Sequence, residues 1–417
     1  MKKLAPFMAL GTKDYRLFLS GFFVSQMGSQ MQMIAINWQL YQMTHSAVML
    51  GLVGIVSFVP VLLLSTVGGL AADNLNRKKL LLATQALLAV LALGLSIATI
   101  SGVTTPLMIF AFIACNFSVM AFFGPVRQSI IPDLVPKSHL MNAIGLNTLA
   151  RQAAVVVGPA IGGFLIALYG VGGIYVFNTL ALMIMMLTIW PLKIPAHHET
   201  MRSSFTFASV LEGIRFVRNS RIILSTMLLD FAATFFGSAT SLLPIFAADI
   251  LRVDERGLGL LYAATSAGAI IAGFTLASLK KLRHQGRVIL WSVTVYGLAT
   301  IGFGLSRSFY LTLFLLAVVG AGDMISTILR NTIRQTMTPR NMRGRMVGIN
   351  ILFAQGGPKL GDAEAGFLAA ATSAPFSAVA GGIGTVLATV VIAAFHPRLR
   401  KFRDTEVMVG AAGLEPA

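Results

Sequence analysis

Acidic residues are scarce in this chain: 15 Asp and Glu stand against 32 Lys and Arg, and charges of both signs make up only 11% of it. Cysteine is rarer still. Cys115 is alone, so no internal disulfide can form, and the residue is expected to pack as a small apolar side chain. The sequence shows no metal-ligand cluster, no phosphate-cradling Gly-Lys loop and no nucleophile elbow, so no metal, cofactor or catalytic residue is expected. What fills the chain instead is apolar. With 56% hydrophobic residues and a mean hydropathy of +0.80, it is no ordinary soluble domain.

Runs of about 20 apolar residues recur, enough to cross roughly 30 Å of hydrocarbon. They predict spans near 17–41, 48–72, 80–100, 105–126, 146–168, 172–191, 222–247, 258–279, 287–306, 309–329, 348–370 and 375–395. All should be helices, because unpaired backbone groups are too costly in lipid and no alternating barrel pattern occurs. With the N-terminus inside, 28 of the 32 Lys and Arg fall on cytoplasmic segments. This positive-inside bias places both termini in the cytoplasm, with the basic groups facing anionic lipid headgroups. No soluble face gathers them with stacking aromatics, so nucleic acid is not an expected partner. Lys2, Lys3 and Lys13 precede a first apolar segment without a cleavage site, which reads as an uncleaved signal anchor. The expected location is the bacterial cytoplasmic (inner) membrane, and a monomer is expected there.

Residues 127–167 recur 203 positions later, with 13 of 41 positions identical and no gap. Arg127 falls on Arg330, Gly145 on Gly348, Asn147 on Asn350, and Gly158 and Gly163 on Gly361 and Gly366. Two repeats with an even number of spans each are the sequence signature of parallel halves in a secondary transporter. The division expected is a six-helix half over 1–191, a cytoplasmic linker over 192–221, a second six-helix half over 222–396 and a tail over 397–417. Within the linker Phe207, Val210, Leu211, Ile214 and Val217 follow helical spacing opposite Glu212, Arg215 and Arg218. That pattern predicts an amphipathic helix, lying on the inner leaflet or packed beneath the bundle.

The loop after span 2 reads Gly68-Gly69-Leu70-Ala71-Ala72-Asp73-Asn74-Leu75-Asn76-Arg77-Lys78-Lys79. It resembles the loop signature of the major facilitator superfamily, a Gly, an Asp four residues on, then a basic cluster. The resemblance implies a twelve-helix, two-halved permease in which Gly69, Asp73, Arg77 and Lys78 form a charge network locking one conformation. Asn74 and Asn76 depart from the pattern and imply a weaker network. In span 5, Gly158-Pro159-Ala160-Ile161-Gly162-Gly163 resembles that superfamily's antiporter motif, which is associated with export. Its glycines should let span 5 pack tightly against a partner, with span 8 expected. The segments Ile131–Pro136 and Met342–Arg345 look most like the enterobactin-exporter and macrolide-efflux branch.

Polar residues inside the spans form four stripes at helical spacing. Gln26, Gln30, Met33 and Asn37 share one face of span 1, and Asn116, Met120, Phe123 and Arg127 one face of span 4. Asp230, Thr234, Ser238 and Ser241 do so on span 7, and Asp323, Thr327, Arg330 and Arg334 on span 10. By the resemblance these spans surround a central cavity, so the stripes are expected to line it and contact substrate. Asp230 lacks a basic residue three or four positions away, and it lies about 13 Å into the membrane at the helical rise. Asp230, Asp323 and Glu364 are therefore expected to be proton-coupling acids, and Lys359 and Asp362 a structural ion pair. The function expected is a proton-coupled exporter of a siderophore or drug-like amphiphile, with protons, lipids and a small molecule as partners. Uptake or lipid flipping on the same scaffold is the alternative. A non-transporting receptor would require closed apolar faces where the stripes lie.

Overall fold

The computed structural model describes residues 5–192, 194, 212, 215–279, 282, 284–339 and 342–402. Among them the chain is helical, with no strand. The helices are α1 (Lys13–Thr44), α2 (Ala47–Asn74), α3 (Arg77–Ile100) and α4 (Pro106–Leu134), followed by the run Leu140–Ile189. Gly170 breaks that run at φ 68°, ψ 176°, separating α5 (140–169) from α6 (171–189). Only a residue without Cβ reverses so tightly at positive φ without strain. Then come α7 (Arg221–Phe236), α8 (Glu255–Ser278), α9 (Gln285–Leu305), α10 (Phe309–Met337), α11 (Arg343–Ala371), α12 (Ala374–Phe395) and the short α13 (Pro397–Lys401). Nine helical runs among the described residues are long and apolar enough to cross a membrane, with α5 and α6 counted as one run.

Local chemistry sets several boundaries. The Thr105 hydroxyl accepts from the Met108 amide and Pro106 opens α4, while Ser373 does the same for Phe376 at the start of α12. Asn76 accepts from the Lys79 amide and so caps α3. The residue that departs from the loop signature thus starts the next helix.

Contacts divide the chain into two compact units. The first comprises residues 1–45, 56–202 and 253–263, the second 46–55, 203–252 and 264–417. These boundaries depart from two continuous halves at the starts of α2 and α8. The first unit is centred on Tyr15, Phe18, Phe22, Val126, Ile130, Met185 and Ile189, all buried. Polar links cross it: the Tyr15 hydroxyl donates to the Ala143 carbonyl (2.7 Å), Asn178 to Gln32 (2.5 Å) and Tyr175 to Gln39 (2.8 Å). In the second unit Leu229, Ile289, Val293, Leu329 and Ile333 pack with Leu399 and Phe402. The tail therefore begins as a docked turn; residues 403–417 lie outside the described residues.

One further expectation changes, and one of two readings of the linker is favoured. Cys115 is exposed on α4, not packed inside. Of the linker pattern, Phe207, Val210, Leu211 and Ile214 lie outside the described residues, but Val217 is buried with Ile223, Met227 and Met346 of the second unit. That end of the linker is packed beneath its unit.

Candidate functional site

The second unit holds a dense intramembrane charge network. Asp230, on α7, meets two arginines of α10: its carboxylate lies 2.9 Å from Arg330 and 2.8 Å from Arg334. Arg334 is otherwise satisfied. Its Nε donates to the Thr226 hydroxyl (3.2 Å), its Nη2 to the Thr226 carbonyl (2.8 Å) and its Nη1 to Asn350 of α11. Arg330 donates to Thr327 (3.0 Å) and lies 4.0 Å from Asp323. Both guanidiniums are nearly inaccessible, whereas the Asp323 side chain is 53% exposed. Asp230 is thus no unpartnered acid, as its own helix implied, but the shared counter-ion of two buried cations. Removing either arginine would leave a buried carboxylate short of its partner, so Asp230 holds α7 to α10.

The first unit carries the equivalent clasp without the acid. Arg127 donates to Asn147 (2.7 Å) and stacks over the Phe22 ring at 4.5 Å. Asn147 and Asn350 are repeat partners, and each accepts from an arginine of the preceding helix. The donor has moved by one turn, from the Arg127 position to Arg334. Identity of Arg and Asn in both repeats was the signal for this clasp.

Of the stripes, Gln26, Gln30, Met33 and Asn37 are half-buried among buried neighbours on α1, as are Asn116 and Met120 on α4. Phe123 differs: it is buried in the first unit's core and is no lining residue. Thr234 turns its hydroxyl to the Asp230 carbonyl (2.8 Å). Ser238 is buried and donates to Asp362 of α11 at 2.5 Å. Lys359 lies 3.9 Å from Asp362, so that pair is present but long. Glu364 is half-buried without an ion-pair partner among the described residues. A shallow groove of about 430 Å³ lined by Thr99, Ile100, Tyr169, Gly172 and Phe177 includes none of these residues.

Span 7 does not run unbroken to residue 247. α7 stops at Phe236, a 3-10 turn follows over Ser238–Leu242, and a π turn over Phe246–Ile250. Pro244 lacks an amide proton for the Thr240 carbonyl, which accepts from the Leu243 amide instead and keeps the turn in 3-10 form. The Tyr296 hydroxyl of α9 donates to the Gly237 carbonyl where the turn begins (2.6 Å).

The motif glycines divide their work. A methyl at Gly158 would press on Gln30 and Met27 of α1, and one at Gly162 on Met31, so these two serve α1 and not α8. Gly163 alone meets α8, at Gly259. The second unit repeats this crossing with Gly366 of α11 against Gly51 of α2. Gly51 and Gly259 are each the fifth residue of their helices. At the loop signature, Gly69 faces open space and Gly68 makes the close approach, to Ala121 and Phe122. Arg77 pairs with Asp133 at 3.2 Å and donates to the Ser129 carbonyl (3.1 Å). Lys78 donates to the Trp190 and Leu192 carbonyls at the end of α6 (2.7 and 2.9 Å). The Asp73 side chain lies outside the described residues.

A family model described as transmembrane secretion effector matches residues 3–412. The chain belongs to this family of major facilitator transporters. The transporter is 28% identical over 409 residues to the enterobactin exporter EntS of Escherichia coli O6:K15:H31, covering 96% of this chain and 95% of that one. The same named exporter from Shigella boydii serotype 18 matches at 28% over 408 residues, 95% of each chain. A bacterial homologue of the iron transporter ferroportin, solved inward-facing, shares its fold at a TM-score of 0.69 with 15% identity, covering 93% of this chain and 99% of that one. The nucleoside transporter NupG does so at 0.68 and 13%, covering 92% and 98%. The protein is an integral membrane transporter of a small molecule and not an enzyme.

Proposed function

We propose that the transporter is a proton-coupled exporter of an amphiphilic small molecule, a siderophore or a drug-like compound. It would sit in the bacterial inner membrane as a monomer, with both termini cytoplasmic. Twelve spans, α1 to α12, would form two six-helix halves working by alternating access. The observation that carries export is the near full-length similarity to exporters named for enterobactin. Polar stripes on α1, α4, α7 and α10 support a wetted solute path, since such groups are too costly to leave in lipid. The glycine crossings at Gly163–Gly259 and Gly366–Gly51 support helices that close tightly yet can part without side chains interlocking. Arg77, Lys78 and Asp73 would form the cytoplasmic lock. The coupling acid would be an intramembrane carboxylate of the second unit.

Everted vesicles test this reading. With enterobactin or ethidium outside and an acidified lumen, vesicles carrying the protein should accumulate the solute, and a protonophore should abolish accumulation. Gradient-driven accumulation only in right-side-out vesicles would overturn export.

A further inference from the structure

We infer that Asp362 is the proton-binding site of the transporter and that its charge state sets whether the break in α7 is fastened to α11. This rests on the proton-coupled reading above. α7 and α11 meet where both are irregular. α7 unwinds after Phe236, and α11 contains Pro358. At that point the Ser238 hydroxyl donates to Asp362 at 2.5 Å and also lies 3.4 Å from the Pro358 carbonyl. Ser241 reaches both the Ser238 carbonyl (2.8 Å), closing the turn, and the Asp362 carboxylate. Gly357 and Gly361 bring α11 directly against Thr234 and Phe235 of α7. The hydroxyls of Ser238 and Ser241 thus fasten the turn to the neighbouring helix.

Nothing of this kind exists in the first repeat. α1 runs unbroken over Lys13–Thr44, and the positions matching Lys359 and Asp362 are Val156 and Pro159. The other acids serve differently. Asp230 is bound by two guanidiniums, and the Asp323 side chain is half exposed beside Arg330. Around Asp362 the charged and titratable groups are Lys359 on its own helix, Tyr296 on α9 and, beyond Tyr296, Asp323 and Arg330 on α10. Asp230 is the acid on α7. Segment 47–55 of α2, which abuts Asp362 at Gly54, contains no ionisable residue, and neither does α12.

The exchange balances within these groups. Ionised Asp362 accepts from Ser238 and faces the Lys359 ammonium. On taking a proton, its O–H becomes a donor toward the Ser238 oxygen, and the Ser238 hydroxyl turns to the Pro358 carbonyl. Losing the charge weakens the bond that holds the turn, because hydrogen bonds to charged groups are about twice as strong as neutral ones. Releasing the proton restores it.

Hydrogen–deuterium exchange of the peptide spanning 236–243 in lipid nanodiscs reads this fastening without any substrate. After correction for intrinsic exchange rates, wild-type protection should fall about tenfold as pH drops through a one-proton transition, the scale of one hydrogen bond to a charged group. Asp362→Asn should hold the low-pH level of protection at every pH, Ser238→Ala combined with Ser241→Ala should lose the step, and Asp362→Glu should keep it. Asp323→Asn and Glu364→Gln should also keep it. A wild-type protein without the step, or a step surviving in Asp362→Asn, overturns the proposal. Proton-driven efflux in vesicles is scored separately. A step without proton-driven efflux keeps this site and sinks the exporter reading, whereas efflux without a step does the reverse.

Discussion

Asp230, Arg330 and Arg334 show how far a residue's role depends on partners distant in sequence. Removing one member of a buried ion network leaves uncompensated charge and costs about 3–5 kcal/mol. Asp230→Asn should therefore lower the thermal unfolding midpoint in detergent sharply, while Asp323→Asn, half exposed and 4.0 Å from Arg330, should change it little. Equal stability of both variants would remove the clasp from the account. The cytoplasmic pair behaves differently. Arg77 and Asp133 are partly exposed, so Asp133→Asn should cost at most about 1 kcal/mol of stability. If the lock works as proposed, Asp133→Asn and Asp73→Asn should express normally yet slow efflux; unimpaired efflux in both would end that role. The sequence showed which arginines and asparagines recur, because repeats preserve them. It could not show that Asp230 finds its cations 100 and 104 positions away, because helical spacing reports only neighbours on the same helix.

Helices were legible from apolar runs, and the sharp turn at Gly170 from its short loop. The break in α7 was not. Gly237 and Pro244 are tolerated in membrane helices where neighbours support the irregular backbone, and the Tyr296 hydroxyl that does so at Gly237 lies 59 residues on. Nor does sequence show that the adjacent loop glycines face different neighbours. Gly68→Ala should disturb α2 against α4 and reduce folded yield, whereas Gly69→Ala should be silent in both yield and efflux. Gly158→Leu should push α5 off α1 and abolish export; normal pumping would show that this crossing is not part of the mechanism.

For the molecule as a whole, the two repeats are related but not interchangeable: one arginine clasp carries an acid, the other an aromatic ring. The docked tail belongs to the second. Truncation after His396 removes Leu399 and Phe402 from its core and should destabilise it by about 1.5–3 kcal/mol for each buried side chain, read as a lower unfolding midpoint in detergent; an unchanged midpoint would remove the turn from the core. Tags at either end should be reachable only from the cytoplasmic side if the charge bias sets orientation. Cys115 is the chain's sole thiol and stands exposed on α4. That thiol sits mid-span, where its exposed face meets lipid, so water-borne maleimides and disulfide exchange, which act on the thiolate, should pass it by. Two cysteines introduced at water-facing helix ends then make a distance ruler without first removing Cys115.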